Sequence, residues 1–114
     1  MIVSTLEERK KYSTEKGDLH QLLVSGDNMM FMYIEVEPHS VPHPPHSHVA
    51  EQAGICLKGE IEFKVEDKTV IVKPNDAFLF HSNEKHGARV VGNEKVVLLE
   101  ILSPPREEVL ARFK

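Results

Sequence analysis

Short segments in which apolar and polar residues alternate, separated by turn residues, dominate the chain. In Met29–Val36 an apolar side chain recurs at every second position, and in Glu60–Val65 apolar and charged residues alternate strictly. A period of two indicates a half-buried β-strand, whose side chains point alternately to its two faces. Seven or eight such segments, with turns about every 8–12 residues, predict an antiparallel sandwich or small barrel. The predicted strands are Leu19–Val24, Met29–Val36, Gln52–Leu57, Glu60–Val65, Val70–Val72, Ala77–Phe80, His86–Val91 and Val96–Leu102.

A helix is predicted only for the C-terminal segment Pro104–Phe113. Ser103 is suited to the N-cap, Pro104 to the first turn, and the two glutamates that follow to the positive end of the helix dipole. The first 15 residues are charged and mixed. Three alternatives stay open for them: an edge strand, an arm exchanged between subunits, or partial disorder.

The composition is that of a single globular domain, expected to span residues 1–114. The 114 residues are 40% hydrophobic and 28% charged, which excludes wholesale disorder. A net charge of −4 argues against nucleic acid or an acidic membrane as partner, since both select a basic face. Cys56 is the single cysteine, and no apolar run approaches the ~20 residues that cross a bilayer. The N-terminus lacks the apolar core of a signal peptide, so a cytoplasmic protein is expected.

Four of the seven histidines lie in the proline-rich stretch Pro38–Gln52. In an extended chain His46 and His48 project to the same face, close enough to share a metal ion at bonds of ~2.0–2.1 Å. Gln52 can return to that face and offer its carbonyl oxygen as a third ligand. His86, at the start of a later strand, can complete the set from a neighbouring strand.

The remaining histidines and the cysteine have simpler interpretations. Two histidines separated by one residue are by themselves weak support for a metal site, because histidines in proline-rich loops are often only solvated. His39 and His43 are therefore interpreted as solvated, or as outer partners of the metal site. His20 and His81 are interpreted as ordinary strand or loop residues, and Cys56 as a small buried thiol.

The first histidine stretch resembles the first motif of the cupin superfamily. His46, His48, Gln52 and Gly59 stand in the order of that motif, with Gln52 where the usual pattern has Glu.

The later stretch resembles the second cupin motif. Pro74, Asp76 and His86 hold the expected relative positions. Asn75 replaces the usual Gly before the aspartate, and Val90 replaces the usual closing Asn.

This resemblance implies an all-β double-stranded β-helix, the cupin jelly-roll barrel, which holds one divalent metal ion. Carried over residue by residue, the ligands are His46, His48, Gln52 and His86. Mixed nitrogen and oxygen ligation suits Zn, Ni, Mn, Fe or Co without choosing among them. Because all four ligands are neutral, a bound ion keeps close to its full charge and is a stronger Lewis acid.

A narrower resemblance lies in the tail Leu99–Glu108, which is similar to small single-domain cupins of the pectin-degradation type. These proteins open unsaturated uronates into linear keto sugars, with three His and one Gln on the metal. The resemblance implies that Glu100 is the acid/base carboxylate and that Arg106 binds the substrate carboxylate. Leu102 replaces an aromatic residue of that pattern, and Gln52 follows His48 one residue earlier than usual.

Several alternatives remain open at this point. Glu100 faces either the cavity or solvent, and Arg106 is either a substrate partner or a solvated or salt-bridged helix residue. The protein is expected to be a metal-dependent isomerase or lyase acting on a small acidic sugar, or else a cupin dioxygenase or a non-catalytic sugar- or metal-binding module. A homodimer is expected, with Phe31 and Tyr33 on the paired outer face.

Overall fold

Ten β-strands in two antiparallel sheets make up most of the molecule, as a computed structural model of residues 1–114 describes it. No helix in it has the length and apolar character needed to cross a bilayer. The strands are β1 (Lys10–Ser13), β2 (Asp18–Ser25), β3 (Met30–Val36), β4 (His43–His46), β5 (Glu51–Lys58), β6 (Glu60–Val65), β7 (Lys68–Val72), β8 (Ala77–Phe80), β9 (His86–Val91) and β10 (Val96–Ser103). The helical segments are a 3₁₀ turn at Leu6–Glu8, helix α1 (Glu107–Leu110) and a 3₁₀ turn at Ala111–Phe113.

The two sheets contain six and four strands. The larger has the order β1-β2-β3-β10-β5-β8 and the smaller the order β4-β9-β6-β7. Every pairing is antiparallel, and neighbours such as β3 and β10 are far apart in sequence. This architecture confirms the predicted all-β jelly-roll.

The core lies between the inner faces of the sheets, where the alternating pattern places it. Strand β3 buries every second side chain from Met30 to Val36. From the smaller sheet, Ile61 and Phe63 are buried, and the ring centroid of Phe63 lies 5.0 Å from that of Phe80. Burial of apolar surface of this kind is the main force that holds two sheets together.

The structure contains more strands than the seven or eight predicted. β1 pairs with β2 along Lys10–Ser13 and forms the outer edge of the larger sheet. β4 was not predicted, because Pro44 and Pro45 cannot donate to a ladder. It is nevertheless a strand because it is the edge of the smaller sheet and pairs with β9 alone.

The C-terminal helix is shorter than the predicted Pro104–Phe113. Helix α1 covers only Glu107–Leu110, because the residues that precede Pro104 and Pro105 are disfavoured in helical conformation. Ser103 is not the N-cap: it ends β10, and its hydroxyl donates to the Asn28 carbonyl at 2.6 Å. Val109 and Phe113 are buried, so the C-terminal segment packs on the core.

Candidate metal centre and cavity

The structure brings His46, His48 and His86 together in one cluster. Their ring centroids are separated by 4.7–5.1 Å, and one ring nitrogen from each lies within 4.8 Å of the other two. His46 ends β4 and is the direct register partner of His86, which begins β9. The pairing of these two strands therefore joins the early and late histidine stretches.

Hydrogen bonds to carbonyl groups fix the proton on two of these rings. Nδ1 of His48 lies 2.7 Å from the Ala50 carbonyl, and Nδ1 of His86 lies 2.8 Å from the Glu84 carbonyl. A carbonyl only accepts, so Nδ1 carries the proton and Nε2 of the neutral ring keeps its lone pair. Nε2 of His86 is buried and has no hydrogen-bond partner in the protein. Its lone pair is therefore free to bind a metal ion.

Gln52 completes the cluster and links it to a carboxylate. Its amide nitrogen donates to Oε2 of Glu100 at 2.9 Å, which turns its Oε1 toward Nε2 of His48 at 3.1 Å. With neutral His48, two lone pairs therefore face each other at that short distance. A cation that took both atoms as adjacent ligands would satisfy both lone pairs, so the donor set fits a divalent metal ion with nitrogen and oxygen ligands.

The surroundings of His46 and His86 favour the neutral imidazole that metal ligation requires. Partial burial, together with the neighbouring His86 and His48, lowers the pKa of His46 to about 4. Burial also lowers the pKa of His86, whose ring stacks on Phe80 with centroids 4.2 Å apart and planes 11° from parallel.

Glu100 is buried. Of the two orientations that the sequence left open, toward the cavity or toward solvent, the structure has the first. Along β10 the side chains of Leu98, Glu100 and Leu102 are buried while those between them are more exposed. Burial raises the pKa of Glu100, opposed by its hydrogen bond from Gln52. A carboxyl group with a raised pKa can hold a proton closer to neutral pH than an exposed one can.

Arg106 lines the same cavity, which has a volume of about 780 Å³, as His46, His86, Gln52 and Glu100. Its Nε and Nη2 also donate to Oε1 of Glu108 at 3.0 and 2.8 Å. Arg106 is therefore salt-bridged, although it immediately precedes helix α1 rather than lying in it, and it faces the cavity. Its role as a partner of the substrate stays a prediction.

A second polar cluster was missed by sequence reasoning. Asp18, at the start of β2, places its Oδ2 2.6 Å from Nε2 of His43 and 3.7 Å from Nε2 of His20. Although burial alone raises the pKa of Asp18, its interactions with the two histidines outweigh burial and hold the pKa well below its usual value. The hydrogen bond to Asp18 raises the pKa of His43.

His20 lies in a strand, as interpreted, and His43 is partly solvated, but the structure also turns both toward Asp18. One feature of the sequence could have indicated part of this cluster: Asp18 and His20 are two residues apart, so in a strand their side chains project to the same face. Cys56 is fully buried, with its thiol toward the carbonyls of Lys58 and Gly59, as interpreted.

Comparison with known proteins agrees with this architecture. A family model described as the cupin domain matches residues 32–102, more than half of the chain. The pectin degradation protein KdgF of Dickeya dadantii (strain 3937) is 26% identical over 94 residues, which is 82% of this chain and 84% of that protein.

Solved structures show the same fold. KdgF from Halomonas sp. superposes with a TM-score of 0.82 at 21% identity, covering 95% of this chain and 99% of that chain. An RmlC-like cupin from Shewanella frigidimarina gives a TM-score of 0.84 at 21% identity over 94% of both chains. A predicted oxalate decarboxylase from Thermotoga maritima gives 0.76 at 21% identity, covering 90% and 98%.

Removal of one clustered imidazole tests the metal site. Loss of an outer partner of a metal ligand lowers metal affinity by roughly 10–100-fold. Because His86 is expected to bind the ion directly, we expect His86→Ala to lower the affinity for zinc by more than this. The control is His39→Ala, an exposed histidine outside the cluster. Calorimetric zinc titration, with circular dichroism to verify folding, provides the measurement. Equal affinity of the two variants would contradict the site.

The stability of the Asp18–His43 pair depends on pH in a defined direction. Because the folded pKa of His43 is raised above its usual 6.5, the stabilisation is complete below 6.5 and is lost as pH rises through the folded pKa. We expect His43→Gln to lower the free energy of unfolding by about 1 kcal/mol at pH 6 and by less at pH 9. The expected loss is small because His43 is partly exposed, and solvent weakens its interaction with Asp18.

Urea unfolding of metal-free protein measures this difference. His81→Gln is the matched control, since His81 is exposed and lies 3.8 Å from Glu51. A cost of His43→Gln that is the same at both pH values would contradict the assigned shift.

Proposed function

The chain belongs to the cupin family, and from this premise we propose that it is a metal-dependent enzyme that opens the ring of a small unsaturated uronate. One observation carries the proposal: the Gln52 amide lies between Nε2 of His48 and Oε2 of Glu100. It joins the histidine cluster to a buried carboxylate on the wall of one cavity. The proposed ligands are His46, His48, Gln52 and His86.

Ring opening of an unsaturated uronate is a net proton transfer and needs no oxidant. The anomeric hydroxyl loses its proton, the bond from C1 to the ring oxygen breaks, and the released enol gains a proton at C4 to become a ketone. A divalent ion held by these four ligands would supply Lewis acidity toward substrate oxygens. Glu100 is the group that holds and delivers the proton, since burial keeps its pKa above the usual value.

Arg106 is proposed to bind the substrate carboxylate. Its planar guanidinium suits a carboxylate, and its contact with Glu108 uses Nε and Nη2. The positive charge of Arg106 also contributes to the lowered pKa of His46 and His86, so it acts on the region of the histidine cluster. Glu100 lines the same cavity that would hold a uronate between the cluster and Arg106.

The uronate class is supported by similarity to the pectin degradation protein KdgF of Dickeya dadantii. A non-catalytic uronate-binding module and an oxygen-dependent cupin are separate outcomes of the same assay. The first would bind a uronate without consuming it, and the second would consume oxygen.

Replacing the proposed proton carrier tests the reaction. We expect Glu100→Gln to keep its metal and its fold but to lose about 100- to 10,000-fold in kcat, because an amide cannot transfer the proton. The assay follows loss of the ultraviolet absorbance of a 4,5-unsaturated uronate. Glu62→Gln, which removes an outward-facing partner of Arg89, is the control and should match the wild type. A Glu100→Gln rate within threefold of the wild type would rule out this role.

We also propose that the protein is a homodimer paired through the outer face of the larger sheet. Cross-strand register aligns Phe31, Ile101, Ala53 and Leu79 in one row on that face. Ile101 and Leu79 are 39% and 47% exposed, so the row is an apolar surface open to a second copy.

Light scattering after size exclusion tests the dimer. We expect twice the 12.9 kDa of one chain for the wild type and for Ile71→Lys, which changes an exposed residue of the other sheet. Ile101→Lys should shift the mass to that of a monomer, because it buries a charge at the paired face. A monomeric wild type would exclude the dimer.

A further inference from the structure

Asp18 is a buried carboxylate that is not one of the proposed metal ligands. Its side chain is only 2% exposed. Burial of a charged group is costly unless the group is paired and hydrogen-bonded. The position of Asp18 therefore calls for partners at both of its oxygens.

Only one oxygen has such a partner within the protein. Oδ2 lies 2.6 Å from Nε2 of His43, whereas Oδ1 is buried and accepts no hydrogen bond from any protein group. An ionised carboxylate oxygen only accepts, so Oδ1 is suited to a donor such as a ligand hydroxyl.

The backbone around Asp18 holds this oxygen in place. The Asp18 amide donates to Oγ1 of Thr14 at 3.2 Å, and its carbonyl accepts from the Thr14 amide at 2.9 Å. The preceding Gly17 has φ +104, and a Cβ there would meet Cβ of Ser40 at 2.8 Å. The turn that delivers Asp18 is thus tightly packed and suited to a fixed binding geometry.

Asp18, His20 and His43 line the cavity that is also lined by Glu100 and by His46 and His86 of the histidine cluster. Asp18 and His20 come from β2 of the larger sheet, and His43 comes from β4 of the smaller one. Strand β2 is separated from β10, which carries Glu100, by β3. A ligand at the metal cluster could therefore extend across the cavity to this second polar wall.

We propose that Asp18, His20 and His43 form a second polar subsite of this cavity that binds hydroxyl groups of a polyhydroxylated acid. Oδ1 of Asp18 accepts a hydrogen bond from one hydroxyl, and the ring nitrogens of His20 and His43 that do not face Asp18 form hydrogen bonds with other ligand hydroxyls. This inference deepens the proposed function and rests on it, since the acid end of the ligand is taken to lie at the metal cluster and Arg106.

The contact between Asp18 and His43 also joins the two sheets. The competing explanation is that it is only a structural clasp, a contact that stabilises the fold and binds no ligand. A clasp accounts for Oδ2 and His43, but it leaves Oδ1 without a donor. It also leaves His20 with only a long electrostatic contact, since its Nε2 lies 3.7 Å from Oδ2 of Asp18, beyond hydrogen-bond distance. His20 therefore separates the two explanations.

Calorimetric binding of two acids to the zinc-loaded protein tests the subsite. D-Galacturonate carries the additional hydroxyls, whereas glycolate has only a carboxylate and one adjacent hydroxyl. We expect Asp18→Asn to weaken galacturonate binding about tenfold or more, the cost of losing a hydrogen bond to a charged group. His20→Ala should weaken it about threefold or more without lowering the melting temperature. In both variants glycolate binding should stay within twofold of the wild type.

Asp27→Asn, at an exposed turn position, controls for loss of a negative charge. The inference is overturned if the wild type does not bind galacturonate, if His20→Ala binds it as the wild type does, or if Asp18→Asn weakens both acids equally. Should Asp18→Asn fail to fold, His20→Ala decides alone. A wild type that binds galacturonate selectively through these residues but does not consume an unsaturated uronate would refute the proposed reaction and leave the subsite standing.

Discussion

The orientation of one amide, that of Gln52, is the constraint on which the chemistry of the cavity depends. Because Glu100 accepts from the amide nitrogen, the amide oxygen must face His48. The same contact directs a neutral oxygen into the histidine cluster and gives the buried carboxylate a hydrogen-bond donor. A glutamate at position 52 would remove that donor, place a second negative charge beside Glu100 and reduce the charge of a bound ion.

The barrel supplies this arrangement through strand register rather than through local sequence. Glu100 pairs with Gly54, and Leu102 pairs with Gln52, so the interacting side chains occupy adjacent inward positions on β10 and β5. A Cβ at Gly54 would collide with the Phe78 ring, so a glycine is needed opposite the carboxylate. Packing and chemistry therefore share the same inner surface, and neither can change without the other.

The sequence alone was sufficient for the parts of the structure that depend on local periodicity. Alternation located the long strands, and the spacing of His46 and His48 with the later His86 indicated a shared cluster. The contact between Asp18 and His43 could not be predicted, because it joins edge regions of two sheets across a proline-rich segment that reads as a loop. The orientation of Glu100 also required the structure, since parity in an almost wholly apolar strand does not identify the buried face.

X-ray absorption spectroscopy of the zinc-loaded protein tests the central claim most directly, because it counts the ligands without reference to any substrate. The account predicts three imidazole nitrogens at about 2.0–2.1 Å together with at least one oxygen ligand. In Gln52→Ala the three imidazoles should remain, and the amide oxygen should be replaced by solvent. A spectrum with two or fewer imidazoles, or with sulfur from Cys56, would contradict the proposed convergence of the two histidine stretches on one ion.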